Sequence, residues 1–199
     1  MPSNPFRSAQ FVISAAQLRQ LPADEGAEIA FAGRSNAGKS SALNVICEQH
    51  GLARTSKTPG RTQLLNVFAL EEGRRLIDLP GYGYAKVPEE MRVHWRKLID
   101  AYMRERESLR GVVLIMDSRH PLKDFDRQML TYCTEIELPC YVLLTKADKL
   151  SRSEGAKTLA AVRKECNANG WPAHMQLFSA LAKTGVDEAR MALGNLLNA

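Results

Sequence analysis

No uninterrupted apolar run in these 199 residues approaches the roughly 20 needed to cross a bilayer, so no membrane-spanning helix is expected. The N-terminus, Met1-Pro2-Ser3-Asn4-Pro5-Phe6-Arg7, lacks a basic stretch followed by an apolar one. It does not read as a secretion signal, and the cytoplasm is the expected compartment. Cysteine is sparse and scattered: Cys47, Cys133, Cys140 and Cys166 form no C-x-x-C pair and have no histidine at zinc-ligand spacing. Buried free thiols in a reducing compartment are expected. His50, His94, His120 and His174 are isolated and take no ligand role. There is no internal repeat and no low-complexity segment.

What is present is ordinary for one soluble globular domain: 45% hydrophobic and 25% charged residues, with a net charge of +5. That charge suits a nucleic-acid or ribosomal partner, and equally a merely solvated surface. Apolar and amphipathic runs alternate, which predicts a three-layer α/β domain with helices on both faces of the sheet. The expected sheet is six-stranded and mostly parallel. Its strands fall at 28–32, 64–70, 75–79, 111–117, 140–145 and 175–178. The polar turn Glu71-Glu72-Gly73-Arg74 reads as a hairpin, which makes one strand antiparallel. Helices are predicted near 39–48, 88–107, 122–136, 153–168 and 184–197. The second carries Met91, Trp95, Leu98, Ile99, Tyr102 and Met103 on one face and several arginines and lysines on the other. Residues 1–25 are expected to form an N-terminal extension packing on a domain at 26–199. Between 49 and 62 lies a polar stretch with neither helical nor strand period, long enough to suggest a functional loop.

Chemistry concentrates at strand ends. Gly33-Arg34-Ser35-Asn36-Ala37-Gly38-Lys39-Ser40 fits G-x-x-x-x-G-K-[ST], between an apolar strand and a helix. Such a loop curls its backbone N–H groups toward phosphate oxygens. Lys39 would bring positive charge to the outer phosphates, the Ser40 hydroxyl would bind magnesium, and the helix start, with Ser41, favours anions. Asp78-Leu79-Pro80-Gly81 ends another strand, where Asp78 can reach magnesium through water and Gly81 can offer its N–H to the terminal phosphate. Thr145-Lys146-Ala147-Asp148 ends a third. There Asp148 can accept the N1–H and exocyclic amine of guanine, Lys146 can lie along the base, and adenine would leave the carboxylate unpaired. Phe178-Ser179-Ala180 ends a fourth, where backbone N–H groups could meet the guanine carbonyl. Ligands of open α/β sheets bind at these ends, so the order of the motifs carries the reading.

With Thr58-Pro59-Gly60-Arg61-Thr62-Gln63 and Asp78-Leu79-Pro80-Gly81-Tyr82-Gly83-Tyr84-Ala85, the chain resembles translation-factor-type GTPases of the bacterial Era/TrmE-like group. More closely it resembles the EngB (YihA/YsxC) family. The resemblance covers essentially the whole chain and implies a P-loop GTPase domain binding GTP, GDP and magnesium. It implies that Thr62 joins Ser40 on magnesium in the GTP state and that Gly60, Arg61, Thr62, Gln63 and Leu64 approach the nucleotide. Lys39, Thr62 and Gly81 are then the expected catalytic groups. It also implies a role in assembly of the large ribosomal subunit, with cell division and septation downstream, and a monomer is expected. Similar GTPases with Asn at the position of Asn36 bind potassium there. Two departures stand out: Tyr82 replaces the glutamine that would orient water, which predicts slow intrinsic turnover, and Thr145 stands where many relatives carry Asn. A small-molecule kinase using the same loop, and a ribosome- or RNA-binding module with a structural nucleotide, are the competing readings. Asp148 speaks against the first, while the basic helix near 88–107 keeps the second open.

Overall fold

The computed structural model describes residues 4–54, 64–82 and 89–199. Its sheet has seven strands, one more than the sequence predicts. In chain order they are β1 (Gln10–Ala15), β2 (Ala27–Gly33), β3 (Leu65–Ala69), β4 (Arg74–Asp78), β5 (Leu109–Asp117), β6 (Cys140–Thr145) and β7 (Ala173–Leu177). Their order across the sheet is β1-β3-β4-β2-β5-β6-β7. Neighbours from β4 to β7 pair in parallel, whereas β3 is antiparallel to both β4 and β1. The additional strand, β1, lies at the sheet edge beside β3. It bulges between Phe11 and Ile13 and leaves Phe11 and Val12 exposed, which disguised its period-2 pattern. Ahead of it, Asn4 donates to the Ile46 carbonyl at 2.9 Å and Phe6 is fully buried.

The helices are α1 (Lys39–Ile46), α2 (Glu89–Glu105), α3 (Asp124–Glu135), α4 (Arg152–Ala168) and α5 (Val186–Leu197). Strand alternation divides the core in two. Ile29, Phe31, Val113, Ile115 and Leu143 face α1 and α5, while Ala30, Ala32, Val112, Leu114 and Val142 face α2, α3 and α4. The central strands are buried on both faces, as parallel strands covered by helices must be. On α2, Leu98, Ile99, Tyr102 and Met103 are buried as their spacing predicts; the side chains of Met91 and Trp95 lie outside those described. All four cysteines are buried free thiols, and burial pushes Cys47 up to about 12. No described helix is long and apolar enough to cross a membrane.

At the N-terminal edge of the sheet sits a buried charge cluster. Glu28 on β2 is fully buried. It accepts hydrogen bonds from Arg75 on β4 at 2.7 Å, Arg106 after α2 at 2.8 Å and the Tyr102 hydroxyl at 3.0 Å. Arg106 also donates to the Pro22 carbonyl, and Asp24 caps the N–H groups of Glu107 and Ser108. Burial alone would raise the Glu28 carboxyl, but hydrogen bonds and charge from Arg106 and Arg75 outweigh it and hold it below the usual range. A carboxyl so lowered adds stability above the ordinary glutamate range that is lost as pH falls through its folded value. Arg106→Ala leaves the carboxylate short of charge in the core and is expected to cost about 3 kcal/mol in urea unfolding. The acid-side loss of stability should also begin at higher pH than in the parent chain.

Candidate nucleotide site

Successive turns at the C-terminal edge of the sheet build one cleft. β2 runs into the phosphate loop, which enters α1 through Gly38 at φ 99°, a left-handed conformation that glycine adopts without strain. Gly33 lies so close to β5 that a Cβ there would stand 3.0 Å from Ile115. Asn36, at φ 62°, holds a left-handed turn that asparagine tolerates better than most residues. The resulting cleft, about 350 Å³, is lined by Arg34, Ser35, Asn36, Gly38, Lys39, Ser40 and Ser41. Arg54, Leu64, Asn66, Asp78, Leu79, Pro80, Gly81 and Lys146 complete it. Ala37 lies buried beneath the loop.

Within the cleft, Lys39 at the start of α1 forms an ion pair with Asp78 at the end of β4. The Thr145 hydroxyl donates to the Ala37 carbonyl, tying the end of β6 to the phosphate loop. Lys146 reaches across as well, donating to the Asn36 carbonyl at 2.6 Å. The side chain of Arg34 turns the other way, toward the His120 carbonyl at 3.2 Å, so what Arg34 shows the cleft is chiefly backbone.

A neighbouring cleft of about 680 Å³ lies between α1 and α5, with Ser41 and Ala180 on its wall. Asp148 stands in the turn after β6, its side chain 17% exposed. One carboxylate oxygen accepts the Ser179 hydroxyl at 2.6 Å, and the Ala147 N–H donates to the Phe178 carbonyl at 3.1 Å. The Thr145–Asp148 and Phe178–Ala180 turns are therefore stitched together beside the phosphate loop. Gly60, Arg61, Thr62 and Gln63 lie outside the described residues, as do Gly83, Tyr84 and Ala85.

Sequence reasoning missed Asp117, which ends β5 at the same edge. Only 6% exposed, it accepts from Arg119 Nη2 at 2.8 Å and pairs with Lys146 Nζ at 3.0 Å. Burial would raise its carboxyl, but hydrogen bonds from Arg119 and Lys146 hold it well below the usual range. The available signal was an acid closing the apolar run Gly111–Met116 at a ligand-binding edge. Tyr82, next to Gly81, is also not where water could be oriented: it is 3% exposed, with its ring stacked on Phe125 of α3. Burial pushes its phenol well above the ordinary value.

The donor set suits magnesium. Ser40 and Asp78 line one cleft, and among the described residues no group of three or more His, Cys, Asp or Glu could hold a metal by itself. A hydroxyl and one carboxylate leave coordination positions for phosphate oxygens and water, as magnesium requires.

Comparison with known proteins places this geometry. A family model described as 50S ribosome-binding GTPase matches residues 28–146. A probable GTP-binding protein EngB of Stenotrophomonas maltophilia is 58% identical over 190 residues, covering 95% of each chain. One from Coxiella burnetii is 52% identical over 188 residues, covering 94% of this chain and 92% of that one. The crystal structure of a probable GTP-binding protein engB superposes with a TM-score of 0.67 at 21% identity, covering 86% of this chain and 99% of that one. A bacterial selenocysteine-specific elongation factor shares the fold at a TM-score of 0.62 over 87% of this chain and 29% of its own. The relatives match over nearly the whole length, and the chain belongs to the EngB family of GTP-binding GTPases.

Proposed function

We propose that this chain is a guanine-nucleotide switch that acts in assembly of the large ribosomal subunit, with normal cell division depending on it. The observation that supports the switch most directly is the meeting of three strand-end turns at one edge: the phosphate loop, Asp78–Gly81 and Thr145–Asp148. The ribosomal role draws on the matched family model, described as a 50S ribosome-binding GTPase. The chain works as a cytoplasmic monomer, in which residues 1–25 extend a G domain at 26–199.

In this reading the amides of Gly33 to Ser41 surround the phosphates and Lys39 exchanges its Asp78 partner for phosphate oxygens. Ser40 and Thr62 would hold magnesium, and Asp78 would reach it through water. Bound magnesium neutralises charge on the phosphates. Gly81 offers its N–H to the terminal phosphate, and Gly60 to Leu64 approach the nucleotide. Asp148 takes the guanine edge, its carboxylate aimed by Ser179, while Lys146 is fixed for the base by Asp117 and the Asn36 carbonyl. Phe178, Ser179 and Ala180 supply the turn beneath the guanine carbonyl.

Hydrolysis then rests on positioning and charge, through Lys39, Thr62 and Gly81. With Tyr82 turned into the core, no described side chain after Gly81 is placed to orient water. Turnover by the isolated chain is accordingly slow, and an added cation or partner raises it. A potassium ion beside Asn36, whose side chain faces solvent, would supply such a cation.

Two measurements test this reading. Asp148→Asn should turn preference from guanine toward xanthine nucleotides, because an amide can donate to the xanthine carbonyl. Unchanged GTP selectivity in competition binding would contradict the assignment, and ATP preferred over GTP by the parent chain would favour the kinase. GTP turnover should be slow in sodium, faster in potassium, and faster again with purified large ribosomal subunits. Equal rates in all arms would remove both the cation and the ribosomal activator.

A further inference from the structure

Gly81 and Tyr82 are held to the phosphate loop by backbone pairing. Arg34 and Tyr82 form a parallel bridge, with the Ser35 N–H donating to the Tyr82 carbonyl at 2.8 Å and the Tyr82 N–H directed at the Gly33 carbonyl at 3.4 Å. Both sides of this bridge send their side chains to one place. The Tyr82 ring lies face to face with Phe125, centroids 3.6 Å apart and planes 17° apart. Arg34 Nε stands 3.5 Å from Oδ2 of Asp126, the next residue of α3. Asp126 is fully buried and accepts the Lys123 N–H at 3.0 Å, so it also caps α3. Its second oxygen, Oδ1, has no hydrogen-bond partner among the described residues. Two contacts of different chemistry, one aromatic and one ionic, therefore join the phosphate loop and the Gly81 turn to the first turn of α3.

Gly81 itself rests on the loop: a Cβ built on it would lie 3.6 Å from the Ser35 Cα. We infer that Tyr82 is a positioning residue whose ring, seated on Phe125, holds the Gly81 amide beside the phosphate loop and couples terminal-phosphate binding to the first turn of α3. This rests on the reading above in which Gly81 meets the terminal phosphate. A tyrosine suits the task because its backbone completes the bridge while its flat ring fills the seat on α3. Without the seat, the Gly81 turn would have to be ordered when GTP binds, and that conformational cost would fall on GTP alone. GDP has no terminal phosphate for Gly81 to meet. The aromatic contact, the Arg34–Asp126 pair and the Lys123–Asp126 cap make the start of α3 a rigid seat.

The test compares binding of GDP and of a non-hydrolysable GTP analogue by calorimetric titration. Phe125→Ala lies outside the nucleotide cleft, yet it is expected to weaken the GTP analogue about three- to tenfold, the scale of one aromatic pair, and to leave GDP within about twofold. Tyr82→Ala should do the same, and the double variant should be no worse than either alone. Tyr82→Phe keeps the stacked ring and should behave as the parent. An unchanged GTP-to-GDP ratio in folded Phe125→Ala overturns the proposal. Should that variant fail to fold, Phe125→Leu takes its place, keeping apolar volume while losing the flat face. Gly81→Pro, which removes the N–H assigned to the terminal phosphate, is measured alongside and separates the two ideas. If it changes neither GTP-analogue affinity nor turnover, the assignment of Gly81 fails and the proposal with it. If it changes them while Phe125→Ala changes neither, only the seat is wrong.

Discussion

The hydrogen bond from the Thr145 hydroxyl to the Ala37 carbonyl is the contact on which the site's geometry depends. A phosphate-binding loop must hold its amides pointing inward, and such a backbone is costly to maintain unaided. Here the loop is held from below. Thr145 fixes Ala37, and Lys146 fixes the strained Asn36 turn by its carbonyl. Asp117 in turn fixes Lys146. These three tethers come from the ends of β5 and β6, the same edge that carries Asp148, so the turn assigned to the base also shapes the loop assigned to the phosphates.

The opposite edge of the sheet is locked by different means. Glu28, Arg75, Arg106 and Tyr102 close a buried network that binds the start of β2 and β4 to the end of α2 and to the extension at Pro22. A satisfied buried network gives rigidity and uniqueness more than net stability. At the C-terminal edge the buried carboxylates Asp78 and Asp117 pair instead with Lys39 and Lys146, cations carried by the turns themselves. The start of α3 adds to them, since Asp126 and Phe125 bring a buried carboxylate and an aromatic face against Arg34 and Tyr82.

Much of this was legible in the residues. Six strands and five helices announced themselves because the central parallel strands are continuous apolar runs and the helices carry apolar faces. The gathering of the Gly33–Ser41 loop, Asp78, Gly81 and Asp148 at strand ends was legible because strand-end chemistry needs particular residue types at fixed spacing. β1 was not, because a bulged edge strand with Phe11 and Val12 exposed shows no clean alternation. Asp117 was missed because its work is done on another side chain, across two strands, and no local spacing records that. Thr145 read only as a departure from asparagine, yet its hydroxyl reaches the loop carbonyl from its own strand end. The direction of the Tyr82 ring was equally hidden, since it depends on α3, more than 40 residues onward in the chain.

That the loop is shaped from β6 is the central claim, and Thr145→Val addresses it with almost no change in side-chain volume. Removing the hydroxyl leaves the Ala37 carbonyl without its donor, a loss of about 1–3 kcal/mol for a buried group. GDP and the GTP analogue should both bind about tenfold more weakly, because the loop meets the phosphates they share. Wild-type affinity for both nucleotides in a folded Thr145→Val protein would contradict the account.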